Sequence, residues 1–214
     1  YIVVFIEEII FNYNNNSDYI MCGISGWIIN SSAGLQEDSL SKMSRELYHR
    51  GPDESGSIIL KTKDGQKQLA MAHQRLSIID LENGSQPMYD NKKEVIITYN
   101  GEIYNYKEIK IELIKLGANF STNTDTEVIL EGYKHWSKDI VKKLRGQFSF
   151  VIWDTEKELL FMARDCYGLK PLYYKINEIG LFFASEVKSL NIIQSEDPKI
   201  DLDSVWTYLR YRYV

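Results

Sequence analysis

Six short apolar runs, rich in β-branched and aromatic residues, constrain the fold of this chain more than any other feature. They cover residues 24–29, 68–72, 94–99, 147–153, 159–163 and 181–184. Runs of this length and composition predict β-strands. Only the short segment 154–157 separates two of them, and so tight a connection favours antiparallel pairing.

Helical patterns lie between the strand patterns. Two segments place their apolar residues on one helical face and predict helices. The first contains Leu40, Met43 and Leu47, and the second contains Tyr106, Ile109, Leu113 and Leu116 and ends before the stop signal Gly117. A third helix is predicted over residues 125–136. Helices that stand beside antiparallel sheets make an α+β fold. The sequence therefore predicts an α+β domain.

Composition excludes several classes of protein. The 214 residues are 44% hydrophobic and 26% charged, enough for a sizeable core in one domain. A formal net charge of -5 argues against nucleic acid as a partner. No apolar stretch reaches the roughly 18 residues of a membrane span. Two cysteines are too few for a disulfide framework, and they suit a reducing cytoplasm.

Cys22 is the first candidate for chemistry because Met21 directly precedes it. If Met21 is an initiator that is removed, Cys22 becomes the first residue and carries a free α-amine. An α-amine titrates near about 7.7 to 8.0, so it can accept the thiol proton at neutral pH without a histidine. The alternative is a small buried cysteine at the edge of a strand, which an isolated cysteine favours.

Asn100-Gly101 is the second candidate. Attack on an amide carbonyl creates an oxyanion, which needs preorganised N–H donors. A side-chain amide and an approachable glycine N–H at the end of a strand supply both. The alternative is an ordinary Asn-Gly turn, which the local pattern favours.

Three charged residues could bind a free amino acid. Arg75 has the charge to bind an α-carboxylate, and Glu102 and Asp125 the charge to bind an α-ammonium group. The alternatives are surface charges for Arg75 and Glu102, and a helix cap or first-turn acid for Asp125.

Other chemistries find no support in the sequence. Nothing in the spacing of His49, His73 and His135 favours a Cys–His pair, and His73 reads as a core residue. No cluster has metal-ligand spacing, and no phosphate-binding loop is present. We therefore expect no metal and no cofactor in this chain.

A series of motifs resembles one family closely and in that family's order. They are CGISGWI, HRGPDESG, AHQRLSIIDL with QPM, YNGEIYNY, TDTEVIL, LRGQFSFVIWD, ARDCYGLKPLYY and FASEVKSL. Together they resemble the glutaminase domain of glutamine-hydrolysing asparagine synthetases, a class II glutamine amidotransferase. The resemblance runs nearly continuously from residue 21 to about residue 190.

The resemblance implies a four-layer αββα sandwich of the N-terminal nucleophile (Ntn) hydrolase type. It implies Cys22 as the nucleophile, with Asn100 and the Gly101 N–H as the oxyanion hole. For L-glutamine it implies contacts with Arg75, Glu102, Asp125 and the backbone of Ile78 and Ile79, and it assigns Arg50 and Asp53 to the loop over the site. Cys166 reads as a structural residue.

The resemblance also divides the chain. Residues 1–21 are expected to be an extension, whether propeptide, cloning remnant or upstream translation, residues 22–194 the glutaminase domain, and residues 195–214 a linker leading into a synthetase domain. ATP and Mg²⁺ are expected only for that synthetase domain. A homodimer, a paralogue with another ammonia acceptor, and a non-catalytic glutamine-binding module with Cys22 blocked all stay open.

Overall fold

The computed structural model describes residues 2–5, 21–76, 84–193 and 200–212. The strands are β1 Ile2–Phe5, β2 Gly23–Asn30, β3 Glu54–Lys61, β4 Lys67–Arg75, β5 Met88–Tyr89, β6 Val95–Ile103, β7 Gly146–Asp154, β8 Leu159–Arg164, β9 Tyr173–Asn177 and β10 Gly180–Ala184. The α-helices are α1 Glu37–Arg45, α2 Tyr106–Lys115, α3 Asp125–Trp136, α4 Val187–Asn191 and α5 Leu202–Tyr211. None of the described helices is long and apolar enough to cross a membrane.

The strands form two five-stranded sheets. The first sheet has the order β3-β4-β2-β10-β9, and the second has the order β1-β8-β7-β6-β5. Neighbouring strands pair antiparallel, except that β1 lies parallel to β8. Four of these eight pairings, β3–β4, β5–β6, β7–β8 and β9–β10, are hairpins, and β7–β8 is the one that the short segment 154–157 predicts.

Three apolar cores hold four layers together. One core lies between α1 and α4 and the first sheet, one lies between the sheets, and one joins the second sheet to α2 and α3. Trp27, Phe183 and Phe161 are large buried members of the three cores in that order. The predicted αββα sandwich is confirmed, and every residue of the three cores lies between residues 24 and 193.

Most local predictions agree with the structure. All six predicted runs are strands, and the third helix spans Asp125–Trp136 as predicted. The alternative of an Asn-Gly turn is wrong, because β6 continues through Asn100 and Gly101 to Ile103 and pairs with β7 along that length. The sequence did not predict β3 or β9, because their side chains are mostly half-exposed or exposed and leave no apolar run.

His73 connects the two sheets. It lies on β4 in the first sheet, and its Nε2 is 3.1 Å from the Tyr99 carbonyl oxygen on β6 in the second sheet. Complete burial lowers the pKa of His73 to about 4, so the ring is neutral at physiological pH and Nε2–H donates to that carbonyl. The predicted core histidine is confirmed, and it fixes the strand that carries Asn100.

The low pKa of His73 makes folding sensitive to acid. The unfolded chain binds a proton at His73 below about pH 6.5, whereas the folded chain does so only near pH 4. The stabilisation is therefore complete above about pH 6.5 and is lost as pH falls towards 4, by roughly 3 kcal/mol in total. Urea unfolding of His73→Gln at several pH values should show a free energy of unfolding that falls less steeply over this window.

His135 offers a matched control, because it is exposed on α3 and no hydrogen bond from its ring to a backbone carbonyl is described. His135→Gln should keep the pH slope of the parent protein. If His73→Gln also kept the parent slope, the ring would titrate in the folded chain as it does in the unfolded one.

Candidate active site

Strand alternation brings the predicted site residues to one end of the layer between the sheets. Ile24 and Ile28 on β2, Leu69 and Met71 on β4, and Ile96 on β6 face this layer. Since side chains alternate with a period of two, Cys22, Arg75 and Asn100 continue the same three faces. The register Gly23↔Gln74 and the contact of His73 with Tyr99 put these positions at the same end.

Cys22 immediately precedes β2, with its sulfur against the end of β4. Its Sγ accepts a hydrogen bond from the Leu76 N–H at 3.3 Å and lies 3.7 Å from the Leu76 carbonyl oxygen. Burial raises the pKa of the Cys22 thiol, while the Leu76 N–H and the charges of Arg75 and Arg50 act in the opposite direction. The thiol is therefore protonated at neutral pH and needs a base before it can attack a substrate.

Arg50 holds the backbone of Cys22 in place. Its Nε donates to the Cys22 carbonyl oxygen at 3.1 Å, and its Nη1 donates to Glu186 Oε1 at 2.9 Å. His49 Nε2 lies 2.9 Å from the same Glu186 oxygen. Burial would raise the pKa of Glu186, but its hydrogen bonds to Arg50, His49 and Lys188 lower it overall, so Glu186 stays ionised and anchors Arg50.

Arg75 lies at the end of β4, beside Cys22. Its guanidinium is almost fully buried, and Nη1 donates to Glu54 Oε2 at 2.8 Å. Glu54 is opposite Arg75 in the β3–β4 register. The Asp53 N–H donates to the Arg75 carbonyl oxygen at 3.0 Å, so the loop that contains Arg50 and Asp53 is tied to the end of β4.

Asn100 is buried and has an unused donor. Its side chain is only 1% exposed, and within the described residues its Nδ2 has no hydrogen-bond partner. A buried unpaired amide costs about 1 to 3 kcal/mol, so native proteins rarely keep one without a reason. A donor held in this way, at the end of the layer that also holds Cys22, is suited to an oxyanion that forms on a substrate.

Gly101 offers its backbone N–H to the edge of the second sheet. Its partner in the register is Phe148 on β7. The Phe148 N–H donates to Asp165 Oδ2 and the Phe148 carbonyl accepts from the Asp165 N–H, so both backbone groups of Phe148 point away from β6. The Gly101 N–H therefore points away from β7, in the direction in which the Tyr99 N–H meets Gln86. A Cβ at Gly101 would come within 2.3 Å of the Gln147 carbonyl oxygen, so this approach of β6 to β7 requires glycine.

Asp125 is the first residue of α3 and contacts the end of β6. Its Oδ2 accepts from the Tyr99 hydroxyl at 2.7 Å and from the Ile103 N–H at 3.0 Å. Burial raises the pKa of Asp125 in spite of these donors. The capping residue is Thr124, whose side chain accepts from the Glu127 N–H, so Asp125 is not the helix cap but an acid of the first turn, the other half of that alternative.

The remaining predicted residues lie in different surroundings. Glu102 is exposed at the end of β6, next to Gly101. Ile78 and Ile79 lie outside the described residues. Cys166 is an exposed free thiol, so its interpretation as a structural residue is wrong. No group of three or more His, Cys, Asp or Glu suited to a metal ion occurs among the described residues.

The sequence interpretation missed Glu54, Glu186 and Tyr99, which hold the predicted residues in position. Glu54 and Glu186 each stand within a quoted motif, HRGPDESG and FASEVKSL. Their charge was the only available signal, since a carboxylate within a motif that also contains buried cations is a candidate partner for one of them.

Two solved structures identify the fold. Glutamine phosphoribosylpyrophosphate amidotransferase from Bacillus subtilis superposes with a TM-score of 0.62 at 20% identity, over 80% of this chain and 43% of that one. A second structure, an allosteric regulatory enzyme of purine biosynthesis, gives a TM-score of 0.63 at 19% identity. The fold is that of the Ntn-type glutamine amidotransferases.

Sequence relatives place the chain more closely. The family model described as "Glutamine amidotransferase domain" matches residues 21–214. Asparagine synthetase [glutamine-hydrolyzing] 1 of Bacillus subtilis is 39% identical over 91% of the chain, and asparagine synthetase [glutamine-hydrolyzing] of Zea mays is 40% identical over 80%. The chain belongs to the glutamine amidotransferase domain family. It spans 30% and 28% of the lengths of these two relatives.

The Tyr99–Asp125 contact yields a stability prediction. Tyr99→Phe removes one of the two donors to a buried carboxylate, and hydrogen bonds to charged groups contribute about 1.5 to 3 kcal/mol. The free energy of unfolding at pH 7.5, measured in urea, should fall by about that amount.

Tyr133→Phe is the matched control. The Tyr133 hydroxyl also donates to a carboxylate, Asp154 Oδ2 at 3.1 Å, but Lys157 supplies that carboxylate with two further bonds. The loss in Tyr133→Phe should be smaller, at about 1 kcal/mol. A loss in Tyr99→Phe no larger than that in Tyr133→Phe would contradict the prediction that Asp125 depends more strongly on its tyrosine than Asp154 does.

Proposed function

We propose that this domain hydrolyses L-glutamine to glutamate and ammonia, with Cys22 as an N-terminal nucleophile. The observation that carries the proposal is the buried, unpartnered Nδ2 of Asn100 at the end of the inter-sheet layer that also holds the Cys22 thiol. Membership of the amidotransferase family and the resemblance to glutamine-hydrolysing asparagine synthetases support the same reaction.

The reaction begins with attack of Cys22 Sγ on the side-chain carbonyl carbon of glutamine. The thiol proton passes to the Cys22 α-amine, and the carbonyl electrons move to oxygen. The resulting oxyanion accepts hydrogen bonds from Asn100 Nδ2 and from the Gly101 N–H. Collapse of this intermediate breaks the C–N bond, and the protonated α-amine gives its proton to the departing NH₂ group.

Ammonia leaves, and a γ-glutamyl thioester remains on Cys22. Water then attacks this thioester, with the neutral α-amine taking the proton of water, and glutamate departs as the thiol is restored. Every proton transfer in both halves uses the same amine. A peptide bond between Met21 and Cys22 abolishes that base, so we propose that activity requires a chain that begins at Cys22.

Substrate recognition follows from the charges around this end of the sandwich. The Arg75 guanidinium binds the α-carboxylate of glutamine, and the carboxylates of Glu102 and Asp125 receive its α-ammonium group. The backbone of Ile78 and Ile79 completes the pocket, and Arg50 and Asp53 order the loop over it. The ion pair with Glu54 aims the guanidinium of Arg75 before substrate arrives.

The ammonia acceptor is a further part of the proposal. In this scheme residues 22–194 form the glutaminase domain, residues 195–214 lead towards a synthetase domain, and that domain uses ATP and Mg²⁺ to amidate aspartate in the cytoplasm. The names of the relatives support this acceptor, and a paralogue that amidates another acceptor would contain the same glutaminase half.

Glutamate release tests the nucleophile. A chain expressed from Met21, whose initiator methionine is then removed, should release glutamate from glutamine, and intact mass should show Cys22 as its first residue. Cys22→Ala should reduce the rate at least about 10⁴-fold because the thioester cannot form. Cys166→Ser is the matched thiol control and should keep the activity.

The same assay on residues 1–214 separates a catalytic domain from a binding module. If that chain keeps Tyr1 and binds glutamine without turnover, the extension blocks the enzyme. No glutamate release from the chain that begins at Cys22 would contradict the proposed function.

Asn100→Ala tests the oxyanion hole. Removing one such donor should lower kcat by about 10²- to 10³-fold. Since Nδ2 makes no hydrogen bond in the described structure, the melting temperature should change little. Thr98→Val is the matched control: Thr98 lies two residues earlier on the same face of β6 and also has an unpaired buried oxygen, so its removal should leave kcat unchanged. A large loss of stability with normal kcat in Asn100→Ala would assign Asn100 a structural role.

A further inference from the structure

The loop between β8 and β9 holds Lys170 in a fixed position. The Lys170 N–H donates to Asp165 Oδ2 at 3.0 Å, and its carbonyl oxygen accepts from Arg164 Nε at 2.8 Å. The Asp165 carboxylate also accepts from the N–H groups of Phe148, Tyr167 and Leu169. Four backbone donors on one carboxylate make this loop rigid, and the backbone of Lys170, with the direction of its Cα–Cβ bond, is fixed with it.

The Lys170 side chain turns inward to the start of β2. The residue is only 7% exposed, and the described hydrogen-bond partner of its Nζ is the Sδ of Met21. Lysine is rarely buried without a carboxylate partner, and a thioether sulfur is a weak acceptor. Met21 is the residue that the proposed processing removes. Its loss uncovers a buried ammonium group beside the new N-terminus.

The Cys22 thiol lies within the electrostatic reach of Lys170, and the α-amine of the proposed mechanism belongs to the same residue. Burial and the Arg50 charge lower the pKa of Lys170, and Asp165, Cys22 and Glu102 act in the opposite direction. The two arginines near Cys22 each have a carboxylate partner, Glu186 for Arg50 and Glu54 for Arg75. Among the described residues, the charged groups that act on Cys22 are thus Arg75, Arg50 and Lys170, and the carboxylates of Asp165 and Glu102 act on Lys170 in turn.

We infer that Lys170 is a positioning residue for glutamine hydrolysis, whose ammonium charge holds the Cys22 α-amine neutral and favours the Cys22 thiolate once the chain begins at Cys22. A nearby positive charge opposes protonation of an amine and stabilises a thiolate, so one lysine favours both partners of the proton transfer in their reactive forms. The inference rests on the proposed function for its catalytic meaning. The electrostatic field of Lys170 at Cys22, called the field at Cys22 below, is measurable without turnover.

Alkylation of Cys22 measures that field. In residues 1–214 carrying Cys166→Ser, the rate of reaction with iodoacetamide is followed against pH. Lys170→Met, which removes the charge and keeps the length, should move the midpoint of the profile up by about one pH unit. Lys170→Arg should restore the parent midpoint, and Lys175→Met, an exposed lysine on β9, should not change it. An unchanged midpoint in folded Lys170→Met would overturn the inference.

A second measurement needs no substitution at Lys170. Cys22 is alkylated in one sample with iodoacetamide, which leaves a neutral group, and in another with iodoacetate, which leaves a carboxylate. By linkage, a field between the two side chains should raise the pKa of Lys170, followed by NMR of its ε-methylene, by about one unit in the carboxylate sample. Equal pKa values in the two samples would overturn the inference even if Lys170→Met failed to fold.

The pH dependence of kcat/KM connects the field to catalysis. In the chain that begins at Cys22, the acid limb reports the α-amine, and Lys170→Met should move that limb to higher pH by about one unit while Lys170→Arg restores it. A lower rate with an unmoved limb would overturn the inference, because a merely structural role predicts that result. If the parent chain releases no glutamate while the alkylation midpoint shifts, the proposed function fails and the field at Cys22 stands.

Discussion

The apolar layer between the two sheets is the constraint on which the site depends. Met71, Val151 and Phe183 are among the side chains that fill its middle, and burying each contributes roughly 1.5 to 3 kcal/mol. The same alternation that sends these residues inward sends Cys22, His73, Arg75 and Asn100 inward at one end. A polar site inside a sandwich is costly, and the apolar middle offsets that cost while it fixes the geometry.

The charges at this polar end are compensated unequally. Arg50 is paired with Glu186 and Arg75 with Glu54, and these pairs hold the two cations in fixed positions around Cys22. By contrast, the Asn100 Nδ2 has no acceptor among the described residues, and the Lys170 Nζ meets only the sulfur of Met21 there. Groups left in this state in a well-packed interior are suited to charge that appears during a reaction.

In the proposed function, the peptide bond before Cys22 decides whether the site has a base. Burial raises the pKa of the thiol, so attack requires a base at the sulfur, and the buried His73, whose pKa burial lowers to about 4, is too weak a base for it. An α-amine on Cys22 would supply that base within the same residue. The proposed function therefore couples the covalent state of the N-terminus to the protonation of one thiol, on which the charge of Lys170 also acts.

Local periodicity in the sequence determined the six strands, the helix Asp125–Trp136 and the α+β class, because burial of one face leaves a repeat that neighbouring residues share. The ordered motifs pointed to the family and to Cys22. Only the tertiary structure decided the rest. Asn100 and Gly101 read locally as a turn, but pairing with β7 extends the strand through both. The contacts Arg50–Glu186 and Lys170–Met21 join residues 136 and 149 positions apart, and no local pattern encodes such a distance, since folding alone brings those residues together.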